Sequence, residues 1–277
     1  AAGVCQARDR DDQVSGTHRS HAHYIAKGGD IKAMMAEIYG KATGCSSGKG
    51  GSMHLVDLSV SFQGSTSIVA NTVPLGVGAA LANQLYRNGK GCCVFFGDAV
   101  IEEGVFHESV NFAVVRHLPV LFVCENNLYS VYSPLSVRQP EGREIWKFVA
   151  GYGMPSVHGD GNDVWDVYHK AKTALEHICS GAGPCFLEFA TYRWREHCGP
   201  NFDNDLGYRT EAEYLHWKQR DPIALFESQL TAQGVIKPTD IDAMGKTIQM
   251  EVDEAFDFAE NSPFPDPEET FKGVYRE

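Results

Sequence analysis

Much of what whole classes of protein require is missing from this chain. Across its 277 residues no apolar run approaches the roughly 20 residues of a membrane-spanning helix. No basic stretch followed by an apolar core opens the sequence, so the pattern of a secretory leader is missing as well. Positive charge is in deficit: 24 Lys and Arg stand against 36 Asp and Glu, a formal net charge of -12. That balance excludes a general affinity for nucleic acid or an anionic membrane. Any anionic ligand must be held by a local cluster that overrides the global field. Among eight cysteines there is no Cys-x-x-Cys pair. Cys92, Cys93 and Cys124 sit inside apolar runs and read as small buried hydrophobes. A disulfide framework is not expected at this length, and the thiols point to a reducing cytoplasm.

There is also no internal repeat, and no linker long enough to separate one domain from another. The expectation is one domain over residues 1–277, ending in a helical, acidic extension that closes on the Pro-rich "SPFPDPEE". The opening "AAGVCQARDRDD" reads as the middle of a helix running into a loop. The native N-terminus is therefore expected to lie outside this chain.

Short apolar runs without alternation mark buried parallel strands. Four fit: 65–70, 92–97, 119–125 and 185–191. Helical patterns lie between them. "PLGVGAALANQLYRNGK" opens on Pro74 and closes near Gly89, "EGVFHESVNFAVVRH" links the second and third strands, and "DVWDVYHKAKTALEHICSG" precedes the fourth, with Asn162 or Asp163 as N-cap. Strands alternating with helices of this length predict an α/β fold, a parallel sheet with helices on both faces. Residues 195–210 are polar and without period, and are expected to form an exposed, mobile loop.

In such a sheet the ligand crevice lies at the carboxyl ends of the strands. Gly97-Asp98 closes one predicted strand and Glu125-Asn126-Asn127 the next. A strand–helix–strand unit separates Asp98 from Asn127, so both are expected in one crevice. A carboxylate and an amide oxygen, joined by a backbone carbonyl, form half of the hard-oxygen shell that Mg2+ takes, a diphosphate and water completing it. A helix starting near Val100 would aim its amides at that diphosphate. The plainer reading has Asp98 capping the helix and Asn127 making a turn. Two other patterns invite misreading. "GCSSGKGGS" has one residue too few between glycines for a P-loop and no Ser or Thr after Lys49. His18, His21 and His23 alternate like a metal cluster, but no cysteine or carboxylate joins them, and His21 is kept as a group beside substrate or phosphate.

The window "GDAVIEEG" through "HLPVLFVCENNLYSVYSP" resembles the thiamine-diphosphate signature, and three further stretches extend the likeness: "THRSHAHYIAKGGDIKAMMAEIYGKATGCSSGKGGSMHL", "GYGMPSVHGDGND" and "FLEFATYRWREHCGPNFDNDLGYRTEAEY". Together they are similar to the alpha subunit of the thiamine-diphosphate-dependent first component of pyruvate, branched-chain 2-oxoacid and acetoin dehydrogenase complexes. The resemblance implies thiamine diphosphate and Mg2+ as cofactors, with Asp98, Asn127 and the carbonyl of Tyr129 on the metal. It implies Arg19 and His197 on the phosphates, Ser67 and Val69 on the aminopyrimidine, and Gly97, Ala99 and Val100 lining the cofactor. His21 and His197 are the catalytic candidates. It further implies a beta subunit that carries the pyrimidine-binding domain and its glutamate, a tetramer of two alpha and two beta chains, and a lipoyl acyltransferase receiving the acyl group. Exposed helix surface around 74–88, where Gly76, Gly78, Ala79 and Ala80 permit close packing, is the expected subunit contact.

Three departures qualify the likeness. Ala99 stands where the family has glycine, which costs about 1 kcal/mol if φ is positive there or if the phosphate must approach closely. Cys198 replaces a serine that animal pyruvate members phosphorylate. Glu102 and Glu103 replace an Asn-Gln pair, and a carboxylate about 5 Å from a 2-oxo carboxylate would repel it by about 3 kcal/mol, favouring a neutral substrate such as acetoin. These departures keep two alternatives open: a biosynthetic carboligase or acyl transferase without a lipoyl partner, and a degenerate, non-catalytic subunit.

Overall fold

The computed structural model describes residues 1–8 and 11–272. Its centre is a six-stranded sheet built from β1 (Gln13–Thr17), β2 (Phe62–Thr66), β3 (Cys92–Gly97), β4 (Val120–Asn126), β7 (Ser156–Asp160) and β8 (Cys185–Ala190). Between β4 and β7 lies a hairpin of two two-residue strands, β5 (Tyr129–Ser130) and β6 (Ser133–Pro134). The order across the sheet is β2-β1-β3-β4-β8-β7, and every pair in it is parallel. Successive side chains of β3 fall on opposite faces, as period two demands. Val94 and Phe96 join one apolar core with Phe106, Val110 and Phe122. Cys93 and Phe95 join the other with Leu121, Val123 and Val167. Burial on both faces is why these runs carry no polar alternation.

The helices α1 (Ala2–Gln6), α2 (His21–Ala26), α3 (Ile31–Ile38), α4 (Thr72–Tyr86), α5 (Gly104–Val115), α6 (Leu135–Arg138), α7 (Ile145–Ala150) and α8 (Val164–Cys179) surround the sheet. Asp163 is the N-cap of α8, accepting from the amides of Trp165 at 2.9 Å and Asp166 at 3.2 Å. Asn162 is used elsewhere, donating to the carbonyl of Arg220 at 2.8 Å.

Four sequence expectations need correction. The weak strand at 65–70 is β2, ending at Thr66, and the chain beyond it turns, with Ala70 at φ +63°. The segment after Asp98 is a 3-10 turn over Asp98–Glu102, and α5 starts only at Gly104, so no α-helix begins at Val100. Two strands went unforeseen. β1 is rich in small and polar residues, and β7, at the sheet edge, is buried only at Gly159; neither presents an apolar run. The small-residue face of α4 is divided: a methyl on Gly76 would lie 2.2 Å from Val94 Cγ2, so that glycine seats α4 on β3. Gly78 and Leu75 face outward.

The C-terminal extension is helical, as expected: α9 (Glu211–Lys218), α10 (Pro222–Ala232) and α11 (Pro238–Asn261). It is anchored to α3 and the loop behind it. Lys41 Nζ donates to the carbonyls of Ser262 at 2.9 Å and Glu260 at 3.2 Å. That loop is the glycine-rich "GCSSGKGGS", and its backbone does cradle an anion. The anion is the chain's own Glu37, fully buried. Its carboxylate accepts from the amides of Ser46 (2.7 Å), Gly48 (2.9 Å), Gly50 (2.6 Å) and Gly51 (3.1 Å). The nest is filled from within, which leaves no place for a nucleotide phosphate. Hydrogen bonds to a charged group contribute about 1.5–3 kcal/mol each. Glu37→Gln should therefore lower unfolding stability by on the order of 3 kcal/mol, seen as a lower denaturant midpoint at unchanged slope, with new protease cleavage within residues 44–52.

Candidate active site

The strand order reverses its direction of growth between β1 and β3, and at such a switch point the carboxyl ends of neighbouring strands diverge to leave a crevice. Here that crevice is a cavity of about 280 Å³. His18 and Arg19 enter it from the end of β1, and Ser67 and Val69 from the end of β2. Gly97, Asp98, Ala99 and Val100 follow β3, and Asn127 and Tyr129 follow β4. His197 closes it from the segment beyond β8. Every residue expected from the sequence to touch the cofactor or metal thus lines one cavity. His21 does not: it sits at the start of α2, half-buried, with Nε2 3.0 Å from Ser52 Oγ and 3.1 Å from the Ser52 carbonyl. The alternating histidines scatter likewise. His18 faces the cavity, while His23 is buried against the Phe95 ring at 4.3 Å and pairs with Glu125 at 3.1 Å.

Asp98 is 1% exposed. Gly97, not Asp98, occupies the cap position, and no side chain caps the turn, so the plain capping role is not what holds this carboxylate. It is paired with Arg138, whose guanidinium also meets Glu102. The two asparagines have separate tasks. Asn126 is buried, donates to Glu188 at 2.7 Å and accepts from the amide of Leu128 at 3.0 Å. Glu188 in turn accepts from the amide of Trp146 at 2.9 Å. Asn127 lines the cavity, its Oδ1 accepting from the amide of Tyr129 at 3.2 Å. The turn role of Asn127 is therefore real and compatible with a second lone pair directed to a ligand. Tyr129 is held from behind, its hydroxyl donating to Glu213 at 2.8 Å and 3.0 Å.

Ala99 is not among the residues with positive φ. The alanine therefore carries no backbone penalty there, and that reason to suspect a degenerate site is removed. The repulsion expected from the glutamate pair also fails. Glu102 is paired with Arg138, which it shares with Asp98, and accepts from Gln139 Nε2 at 2.9 Å, and neither Glu102 nor Glu103 lines the cavity.

The polar segment 195–210 has no helix or strand, as expected, but it is not simply exposed. Asp203 and Arg209 are buried and ion-paired, and Arg193 Nη2 donates to the carbonyl of Val131 and the hydroxyl of Tyr208, both at 2.9 Å. His197 stands on this braced segment. Arg19 Nη2 donates to the His197 carbonyl at 2.9 Å and lies 3.3 Å from its Nδ1. A guanidinium can only donate, so Nδ1 is the acceptor and the proton of the neutral ring sits on Nε2, available to an anion. Burial, then the charges of Arg19, His18 and Arg193, hold the His197 imidazole down at about 4. His18 is lowered too, by burial and by Arg19, and its buried Nε2 has no partner among the described residues.

These observations fit a metal-bound diphosphate. Among the described residues no three His, Cys, Asp or Glu side chains come together as a metal cage. A cation here must rely on one carboxylate, one amide oxygen, one carbonyl and the ligand's own oxygens, the sparing arrangement Mg2+ accepts. Arg19, the His18 Nε2 that has no partner among the described residues and the Nε2–H of His197 provide donors for anionic oxygens in a chain that is otherwise acidic. Arg138 and Glu188 are not singled out by the sequence, since they lie far along the chain from the groups they hold. His18 is marked only as one of three alternating histidines, and its place in the cavity is not foreseen.

A sequence model described as "Dehydrogenase E1 component" matches residues 1–268. The alpha subunit of acetoin:2,6-dichlorophenolindophenol oxidoreductase from Bacillus subtilis (strain 168) is 39% identical, with 99% of this chain and 81% of the relative covered. The alpha subunit of the pyruvate dehydrogenase E1 component from Rickettsia felis is 34% identical over 99% of this chain and 83% of its own. Its counterpart from Zymomonas mobilis is 38% identical over 96% and 73%. With the family match spanning nearly the whole chain and the cavity collecting the signature residues, the chain belongs to the dehydrogenase E1 component family.

Proposed function

We propose that this chain is the alpha subunit of a thiamine-diphosphate-dependent dehydrogenase that cleaves the carbon–carbon bond beside the carbonyl of a 2-oxoacid or of acetoin. The observation that carries the reading is the single cavity in which Arg19, Ser67, Val69, Asp98, Asn127, Tyr129 and His197 converge. Thiamine diphosphate bound there supplies a nucleophilic thiazolium carbon and an electron sink. Asp98, the Asn127 side chain and the Tyr129 carbonyl would hold Mg2+, while Arg19 and the Nε2–H of His197 would grip the phosphate oxygens. Ser67 and Val69 would meet the aminopyrimidine through their backbones. His21 and His197 remain the candidates for proton handling near substrate.

The chain does not supply everything the chemistry needs. Among the described residues everything after Ala190 is helix, turn or loop, so no second α/β unit brings a glutamate to the aminopyrimidine. A beta subunit would bring it, in an assembly of two alpha and two beta chains. Gly78, Leu75, Leu85 and Tyr86 on the outer face of α4 are exposed and offer a contact for it. The acyl group would pass to a lipoyl acyltransferase. All eight cysteines are free thiols, in keeping with a cytoplasmic location, and no helix among the described residues is long and apolar enough to cross a membrane.

Two outcomes are expected. This chain purified alone should turn over neither acetoin nor pyruvate with added cofactor, and the complex with its beta subunit should. In that complex Asp98→Asn should abolish Mg2+-dependent retention of thiamine diphosphate by calorimetry. Unchanged affinity would end the magnesium assignment. The second outcome concerns His197. Its imidazole is neutral at pH 7 without ligand, because charging it beside Arg19 in a half-buried site is unfavourable. An anion in the cavity reverses the sign of that neighbour effect, so the midpoint should rise on addition of thiamine diphosphate and Mg2+. Histidine NMR titration of the complex reads this directly. Arg19→Gln should also raise the ligand-free midpoint, and an unmoved midpoint in both experiments would show that His197 does not face the phosphates.

A further inference from the structure

A carboxylate as buried as Asp98 is not left without a counter-charge, and the chain supplies one from 40 residues away. Arg138, the last residue of α6, places Nη2 on Asp98 Oδ2. The rest of the guanidinium is equally engaged. Nη1 meets Glu102 Oε1, and Nε donates to the carbonyl of Ser133 at 3.2 Å. Glu102 is further held by Gln139 Nε2 at 2.9 Å, and Gln139 Oε1 accepts from Arg143 Nη1 at 3.2 Å. One cation therefore ties together the carboxylate read as a metal ligand, the acid four residues on, and the stretch that runs back through the β5–β6 hairpin to Tyr129.

A divalent cation and a guanidinium do not share one carboxylate on equal terms. Both charges are positive and repel at close range, and an octahedral shell at about 2 Å tolerates little crowding. The two acids that Arg138 bridges are unequal in a way that suits a transfer. The Asp98 side chain is 2% exposed and that of Glu102 is 29% exposed, so the guanidinium can rest on Glu102 with help from water.

Resting on the magnesium reading above, we propose that Arg138 is the resident place-holder for the metal. It neutralises Asp98 while no metal is bound and gives the carboxylate up to the incoming dication. Glu102 is the acid that retains the displaced guanidinium. This gives the first of the unusual glutamates a task unrelated to substrate charge: it makes Asp98 available. It also couples metal arrival to release of Arg138, at the end of α6, from Asp98.

The test uses the assembled alpha–beta complex and Mn2+ as probe, with free ion measured by electron paramagnetic resonance in the presence of thiamine diphosphate. Arg138→Gln should tighten Mn2+ binding about tenfold, within the usual range of coupling between two ligands of one site. It should also lower the unfolding temperature of the metal-free complex, because Asp98 then lacks its cation. Glu102→Gln should weaken Mn2+ binding about tenfold, since the guanidinium has no second acid to move to. Asp98→Asn is the control that should abolish binding. If Asp98→Asn binds Mn2+ like the unaltered complex, the magnesium reading fails and the place-holder with it. If that control behaves as expected but Arg138→Gln leaves binding unchanged or weaker, Arg138 is no competitor and the place-holder alone is overturned. Should Arg138→Gln not fold, Glu102→Gln decides: unchanged or tighter binding overturns the proposal.

Discussion

A carboxylate at the end of a strand buried on both faces is the constraint around which this molecule is arranged. Asp98 is 1% exposed and is paired with the Arg138 guanidinium; removing one partner of such a buried pair is strongly destabilising. Everything near it follows from that need. Arg138 is drawn back from a distant turn, Glu102 and Gln139 hold the arginine, and Asn126 and Glu188 fix the start of the adjoining turn so that Asn127 and Tyr129 face the same space.

The same physical solution recurs in two other places, with different partners. Glu37 is enclosed by four backbone amides of a glycine-rich loop, where partial positive charge from amide dipoles replaces a cation. Asp203 is enclosed by Arg193 and Arg209, bracing the segment that carries His197. In a chain of net charge -12, some of the acid surplus is thus structural and internally satisfied. The donor groups (Arg19, His18, His197) are gathered at the strand ends, which is how an acidic protein presents a positive site to a diphosphate.

The fold is legible in the sequence where one interaction dominates. The runs over β3, β4 and β8 are buried on both faces, so they show no alternation, and their expected bounds lie within a residue of the observed ones. β1 and β7 escape notice because small residues and an exposed edge erase that signal. The strand ends carrying Asp98 and Asn127 are legible because polar residues that close buried strands have few reasons to be there. Arg138 is not legible, because nothing local links a cation in an aperiodic stretch to an acid 40 residues earlier. The glycine-rich loop can be rejected as a P-loop by spacing, but only the structure reveals that Glu37 occupies it.

The departures from the family pattern look different once charge is placed in three dimensions. Ala99 is not among the positive-φ residues and lies within a 3-10 turn, where a methyl group meets no backbone penalty. Glu102 would repel a 2-oxo carboxylate only if its charge reached the cavity uncompensated. With a guanidinium in contact, Glu102 and Arg138 together form a dipole, whose field falls faster with distance than that of a lone charge. Asp98 draws on the same guanidinium, so the net charge of the trio is -1, the value that a bound dication would reverse. Neither glutamate lines the cavity, so the pair by itself gives no reason to favour acetoin over a 2-oxoacid.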